Sequence, residues 1–579
     1  MIRRAYKSRQ PVHVAPQAAP QSFSDTRRMT VQDDEFLAVS EGRIRIRIGV
    51  VAFLFMLGIV LLRLAEIALL SPQDHRKFLP QAITKVRADM TDRNGELLAT
   101  TLTTYSLYAE PRRVWNPRET AQSLAAIRPN LNVRELEAKL DTDRAFVWLE
   151  RGLTPKERQA VFELGMPGLD FRSEPKRVYP RGQLASHYIG FTDVDMIGVA
   201  GSERAFEDRL KGDNAPDVAL ALDMRVQFAV ADELQKSVDK FSADSGAAVV
   251  MDIKSGELIA LVSVPNFDPN NPGATSPETR FNHASMSTYD LGSVFKPLTM
   301  AMALEDGVAN QTELFPVQKP YRVLNKYIRD DHPSDVPLNM AGVLAESSNR
   351  GTAMLAQRIG ADSQKAHLRN LGLLDRVPVE LAESARPQVQ RRWGEMATVT
   401  VSYGHGLAVS PLSLTAAIGA LLNDGLYVAP TVLRRDALNP VETKRVFRQE
   451  TSDALRHMMR QVVTEGTGRK ANIPGFGVMG KTGTAEKPAN GGYDQKRLVT
   501  SFVAAFPHSD PRYAMIVTLD EPQAIEGTYG YATAGWNAAP TAGQVIARIG
   551  PMLPGARDIV ETANVIDSET GRLQREALR

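Results

Sequence analysis

Tyr289-Asp290-Leu291-Gly292-Ser293-Val294-Phe295-Lys296-Pro297 sets a serine three residues ahead of a lysine, between a glycine and a proline. On a helix, positions i and i+3 share a face, so the Lys296 amine can stand beside the Ser293 hydroxyl. A serine hydroxyl is a poor nucleophile near neutral pH and needs a neighbouring base. A lysine serves as that base when burial and nearby cations lower its pKa. Pro297 has no N–H and fits the first turn of a helix, so the spacing predicts a helix beginning just before it. Ser293 then stands near a helix N-terminus, whose partial positive charge favours a developing oxyanion.

Ser-x-x-Lys alone is weak, because roughly two or three copies arise by chance in a chain of this length. Ser173-Glu174-Pro175-Lys176 and Ser237-Val238-Asp239-Lys240 are two others. Ser237 and Lys240 fall inside an expected helix from Met224 to about Phe241, capped by Asp223, which reads as a helix surface. The copy at Ser293 differs because two further motifs follow it in order, Ser347-x-Asn349 and Lys481-Thr482-Gly483. Each has a chemical job. Ser293 attacks a carbonyl and Lys296 takes its proton. Ser347 relays a proton to a leaving amine, and Asn349 can bond the substrate amide and Lys296. Lys481 supplies positive charge for a substrate carboxylate and keeps nearby amines deprotonated. Gly483 lets a ligand approach its strand, and Thr482 and Thr484 offer hydroxyls to a carboxylate. The backbone N–H groups of Ser293 and Thr484 can form an oxyanion hole. Lys254-Ser255-Gly256 imitates the third motif, but its place between two apolar runs makes it a hairpin turn. His405, in the glycine-rich Tyr403-Gly404-His405-Gly406 loop, reads as structural.

Around these motifs the chain alternates in class. Gly246–Met251 and Glu257–Val262 read as strands joined by a turn, followed by a loop at Pro265–Pro272. A block of helices includes Leu298–Leu304 and Pro411–Leu422. Val478–Ala485, Leu498–Phe506 and Tyr513–Leu519 read as three strands, and a helix from Trp536 to Ile549 closes the region. The expected fold is α+β, a five-stranded antiparallel sheet with helices on both faces. Upstream, Arg87–Ala99 reads as strand, Asn-Gly turn, strand. Another extended segment is expected at Thr104–Glu110, with helices at Pro117–Ile127, Val133–Leu140 and Pro155–Leu164. No nucleophile, base and orienter gather there, so this mixed region reads as a pedestal or interaction module.

The 579 residues allow more than one domain, and 43% hydrophobic with 23% charged residues is the composition of a folded chain. A net charge of +2 creates no global field toward nucleic acid. With no cysteine, disulfides and Cys-based zinc sites are excluded. Residues 1 to about 47 are arginine-rich and read as poorly ordered. The run Ile48–Leu62 carries no charge, and continuing to Leu70 it reaches the ~20 residues that span a bilayer. The arginines before it favour a cytoplasmic N-terminus. The expected organisation is a cytoplasmic tail (1–47), an anchor (48–70), a pedestal (71–222), a catalytic domain (223–555) and a charged, mobile tail (556–579).

The three motifs together resemble those of a penicillin-binding protein, and the resemblance runs from the anchor to about Pro554. Arg87 with Asp92-Arg93-Asn94-Gly95, Tyr179-Pro180, His187–Phe191 and Gly201-Ser202-Glu203 resemble the class B pedestal. No glycosyltransferase domain is expected before it, which disfavours the bifunctional class A type. Val294-Phe295-Lys296, Lys481-Thr482-Gly483-Thr484-Ala485 and Ser501-Phe502-Val503 resemble the septal, cell-division branch. Asp290-Leu291 stands where that family often has Glu-Pro. The resemblance implies a peptidoglycan D,D-transpeptidase of the bacterial inner membrane, with its catalytic domain in the periplasm. Ser293 would attack the D-Ala-D-Ala bond of a stem peptide, release D-Ala, and pass the acyl group to a neighbouring amine. β-Lactams would acylate Ser293, and no cofactor or metal is needed. Implied partners are peptidoglycan stem peptides, division proteins and a membrane glycan polymerase of the shape, elongation, division and sporulation family. The same residues also suit an elongation enzyme, a D,D-carboxypeptidase or another hydrolase, and a membrane-anchored β-lactam sensor or scaffold.

Overall fold

A computed structural model describes residues 34–65, 86–212, 215–436, 438–489 and 492–559. The chain divides into two units, Met1–Ile83 and Thr84–Arg579. In the first, the described residues form one helix, α1, over Asp34–Ala65. It begins well before the expected start at residue 48. The segment ahead of the apolar run is rich in residues that tolerate helix, such as Glu35, Leu37, Ala38, Glu41 and its arginines, and it joins the helix instead of remaining irregular. The side chains from Ile48 to Leu62 are largely exposed. No helix among the described residues is long and apolar enough to cross a membrane. The expected anchor continues to Leu70, and residues 66–70 lie outside the described residues, as do 1–33 of the expected tail and 560–579 of the other.

The second unit opens with the Asn-Gly turn. β1 (Met90–Thr91) pairs antiparallel with β2 (Leu97–Ala109), and Gly95 at φ +87° makes the reversal between them. The helices α2 (Pro117–Ile127), α3 (Val133–Leu140) and α4 (Pro155–Glu163) lie where expected, the last one residue shorter; Thr154 and Glu157 close a reciprocal capping box on α4. Three strands were not foreseen. β3 (Val147–Leu153) and β4 (Leu169–Val178) both pair antiparallel with β2, while β5 (Val218–Ala219) runs parallel to β1. β4 carries Pro175 and mostly exposed side chains, an arrangement a strand paired on one side tolerates. The Ser173–Lys176 spacing lies in this strand.

The capped helix α5 (Met224–Phe241) follows, with Asp223 accepting from the Arg225 N–H. Ser237 in this helix is buried, with its hydroxyl bonded to Thr541 at 2.8 Å; the expected helix surface is here a packing contact. The strands β6 (Ser245–Asp252) and β7 (Leu258–Val264) are buried along their whole length. Between them Asp252 accepts from the N–H groups of Lys254 and Ser255, which makes that Lys-Ser-Gly a turn. The helices α6 (Lys296–Glu305), α7 (Met340–Ala345), α8 (Asn349–Asn370), α9 (Pro411–Leu422) and α10 (Gln449–Thr464) intervene before β8 (Met479–Ala489), β9 (Gly492–Phe506) and β10 (Tyr513–Asp520). The helix α11 (Ala538–Ile549) is the last long element among the described residues.

The sheet order is β8-β9-β10-β6-β7, antiparallel throughout, as expected. Alternation along buried strands sends side chains to two cores. In β6 and β10, Ala248, Val250, Met515 and Val517 face α5 and α11, while Val249, Met251, Ala514 and Ile516 face α6, α9 and α10. β8 is the free edge beside α6, so the third motif is presented next to the first.

Candidate active site

The nucleophile turn is a single 3₁₀ turn, Gly292–Phe295, leading directly into α6 with Pro297 in its first turn. Gly292 has φ +62°. A Cβ there would stand 2.7 Å from the Thr484 carbonyl oxygen and 3.1 Å from its carbon. Gly483 is equally crowded, since a Cβ would strike the Leu291 carbonyl oxygen and the Val294 side chain. These two glycines let β8 lie against the turn backbone to backbone, which brings the N–H groups of Ser293 and Thr484 into one neighbourhood. The glycine-rich loop braces the turn from behind: Gly292 N–H donates to Gly404 O at 3.1 Å, and Gly406 N–H donates to Asp290 Oδ2 at 3.1 Å.

Lys296 and Lys481 are both 0% exposed. Their amines converge on one oxygen, with Ser347 Oγ accepting from Lys296 Nζ at 3.1 Å and from Lys481 Nζ at 2.9 Å. Lys296 Nζ also donates to the Ser347 carbonyl, and Lys481 Nζ donates to Thr482 O at 3.0 Å. Burial pushes the Lys296 pKa down to about 7, against the opposing carboxylates of Asp330 and Asp331. Burial, followed by the charge of Lys296, holds Lys481 well below the ordinary amine range. Two cations so close cannot both be favoured away from water.

Ser293, Ser347, Asn349 and Thr484 are half-buried and reachable, whereas Thr482 and Gly483 are buried. Asn349 opens α8, and its side-chain amide donates to Arg329 O at 3.3 Å, where the sequence suggested Lys296. Thr482 Oγ1 bonds Thr467 Oγ1 at 2.7 Å, and Thr484 Oγ1 accepts from Ala534 N–H at 3.1 Å. Thr484 therefore keeps its hydroxyl proton for another acceptor. His405 is half-buried, and desolvation lowers its pKa.

One group in this neighbourhood carries no motif. Asp330 follows a short hairpin (Tyr321–Val323 with Lys326–Ile328) and accepts from Ser348 Oγ and from the N–H groups of Asn349 and Arg350. It lies far upstream of the residues it holds, so only the fold brings them together. The one available signal was the run Arg329-Asp330-Asp331-His332, which resembles any polar loop.

A buried lysine beside a serine turn, a second lysine on the facing strand and a shared serine between them suit acyl transfer through a serine ester. The family model for the penicillin-binding protein transpeptidase domain matches residues 246–546. This chain belongs to the penicillin-binding proteins. The family model for the penicillin-binding protein dimerisation domain matches residues 82–219, which makes the protein one of class B. It is 40% identical over 502 residues to the probable peptidoglycan D,D-transpeptidase FtsI of Caulobacter vibrioides, covering 84% of each chain. It is 30% identical to the peptidoglycan D,D-transpeptidase FtsI of Escherichia coli, covering 82% of this chain and 86% of that one. The fold resembles penicillin-binding protein 3 of Mycobacterium tuberculosis, with a TM-score of 0.64 at 24% identity over 82% of this chain and 97% of the other.

Proposed function

We propose that this penicillin-binding protein is a septal peptidoglycan D,D-transpeptidase working through a Ser293 acyl-enzyme. The observation that carries the reading is the Ser347 hydroxyl shared by two buried amines, Lys296 and Lys481. Lys296, with a pKa near 7, is substantially neutral at physiological pH and can accept the Ser293 proton. Ser293 Oγ then bonds to the carbonyl carbon of the penultimate D-Ala. Negative charge moves to the carbonyl oxygen, between the N–H groups of Ser293 and Thr484. As the C–N bond breaks, the departing amine takes a proton through Ser347, restored along the lysine pair. An acceptor amine from a second stem peptide enters by the same path in reverse, losing one proton and leaving Ser293 free.

Lys481 acts on the donor's terminal carboxylate with Thr482 and Thr484. Burial and Lys296 oppose its charge. A bound carboxylate supplies the missing counter-charge and draws a proton onto it. Asn349 and Gly483 line the donor strand. Related chains named peptidoglycan D,D-transpeptidase support this substrate class. The septal assignment rests on Val294-Phe295-Lys296 and the Lys481–Ala485 stretch.

Residues 71–222 serve as pedestal and residues 223–555 as the transpeptidase. The uncharged run Ile48–Leu62 within a longer helix, with exposed apolar side chains, supports a single inner-membrane anchor over 48–70. That arrangement puts the N-terminus in the cytoplasm, the catalytic domain in the periplasm, and the anchor within reach of a membrane glycan polymerase and other division proteins.

Covalent labelling by a fluorescent penicillin, wild type beside Ser293→Ala, is the test. Labelling lost in a folded Ser293→Ala protein is expected. Labelling that persists moves the nucleophile elsewhere, and an unlabelled folded wild type removes the acyl-enzyme altogether.

A further inference from the structure

We propose that Asp330 is a positioning residue for acylation, clamping the Ser347–Asn349 turn and setting the pH range in which Lys296 works as a base. The inference rests on the reading of Lys296 as the proton acceptor.

The geometry is specific. Asp330 is 4% exposed at its side chain. Its Oδ1 accepts from Asn349 N–H at 2.6 Å and Arg350 N–H at 3.0 Å, and its Oδ2 accepts from Ser348 Oγ at 2.8 Å. Arg350 Nε stands 3.7 Å from Oδ2. These bonds satisfy the first free donors of α8. They also fix the three residues that follow the Ser347 hydroxyl and aim it at the lysines. Ser348 accepts from Gly351 N–H at 3.1 Å, and a neutral acceptor in place of Asp330 could serve the N–H groups of Asn349 and Arg350. The carboxylate is held by three donors with Arg350 beside it, and its negative charge has a second use besides capping.

That use is electrostatic. Lys296 is faced by Asp330 and Asp331 from the segment after the hairpin, by Lys481 from β8, and by His405 from the glycine-rich loop. Burial, Lys481 and a protonated His405 all disfavour a proton on Lys296. Asp330 and Asp331 oppose them. Without the Asp330 charge the amine would hold its proton more weakly, and would be a weaker base over a wider pH range.

The measurement is the second-order rate constant for acylation by a fluorescent penicillin between about pH 5 and about pH 9, for wild type, Asp330→Asn and Asp330→Ser. Both variants remove the charge; the amide form keeps a polar acceptor for α8, and the serine form is smaller in case the amide packs poorly. The wild type should show an acidic limb near pH 7. In either folded variant that limb should move down by about one pH unit. A role confined to capping predicts an equal fall in rate at every pH with the limb unmoved. That result, or an unaltered profile, overturns the proposal. A wild type with no limb near pH 7 overturns the Lys296 reading, and this inference with it.

Discussion

Ser347 carries the most constrained geometry in the site. It has φ +60°, the left-handed region that residues with a Cβ avoid at a cost of about 1–2 kcal/mol. The turn between α7 and α8 imposes it: Ser347 N–H donates to Leu344 O and Ser348 N–H to Val343 O, which closes α7 and reverses the chain. The reversal points Oγ at both amines while the carbonyl takes a further bond from Lys296. Ser347→Gly separates the backbone from the hydroxyl. It relieves the left-handed strain and removes the shared oxygen, while Lys296 keeps the residue 347 carbonyl and Lys481 keeps Thr482 O. The folding free energy measured by urea denaturation should stay within about 1 kcal/mol of wild type. Penicillin acylation should fall by about 10²-fold or more. Acylation retained in Ser347→Gly would deny the hydroxyl its relay role, and a loss that tracks unfolding would make the effect structural.

At the scale of elements, the site is a contact between one 3₁₀ turn and one strand edge. Gly292→Ala tests it. The alanine would sit at φ +62° with its Cβ 2.7 Å from a backbone oxygen of β8, and neither atom belongs to a flexible side chain. A loss of about 1–3 kcal/mol in stability is expected, with acylation falling further than that loss explains, because β8 must back away from Ser293. Gly95→Ala is the matched control: it has φ +87° but open space around the added methyl. It should share the strain and spare acylation. Equal acylation in the two variants would mean that the close approach is not what aligns the oxyanion donors. The sheet and its helices were readable because buried strands such as Gly246–Met251 are short apolar runs between turn residues, and α5 and α9 carry their own caps. β4 escaped because Pro175 and a string of charges hide a strand that has one neighbour. β3 shows Val147, Leu149 and Leu153 on its buried side, a period of two interrupted by Glu150, Arg151 and Gly152. In the site, Ser293 and Lys296 stand out because residues three apart share a helix face, whereas Ser347, Asn349 and Lys481 stand out only as the second and third motifs following in order. Asp330 was beyond reach, since its partners are fixed by tertiary packing, and Asn349 turned toward Arg329 for the same reason.

Across the whole unit from Thr84 onward, the pedestal and the transpeptidase share one apolar core. Met90, Leu98, Tyr188 and Leu210 belong to the same cluster as Leu258, Phe295 and Leu412. Polar contacts accompany it: Tyr188 Oη donates to Leu258 O at 3.0 Å, Asn270 Nδ2 to Tyr179 O at 3.0 Å, and Ala221 N–H to Val432 O at 2.8 Å. Inside the pedestal, Glu203 is fully buried between Arg87 at 2.6 Å and Arg177 at 2.7 Å. His187 stands at the junction. Its ring packs edge-on to Phe267 with centroids 5.1 Å apart, and Nε2 lies 3.3 Å from Thr279 O. Burial pushes its pKa down to about 4, with the Thr279 carbonyl opposing and His283 adding to the shift. Between the ordinary value of 6.5 and about 4, the unfolded histidine binds a proton that the folded one refuses. The unfolded state then holds more protons, so stability falls as pH falls through that window. At pH 5 this one group should cost on the order of 2 kcal/mol relative to pH 7. His187→Gln keeps a donor for Thr279 O and cannot titrate. Urea denaturation at both pH values should show the variant losing about 2 kcal/mol less than wild type on acidification, whatever its stability at pH 7. The same loss in both proteins would mean that His187 is protonated in the folded junction, and that acid loosens the pedestal from the transpeptidase through some other group.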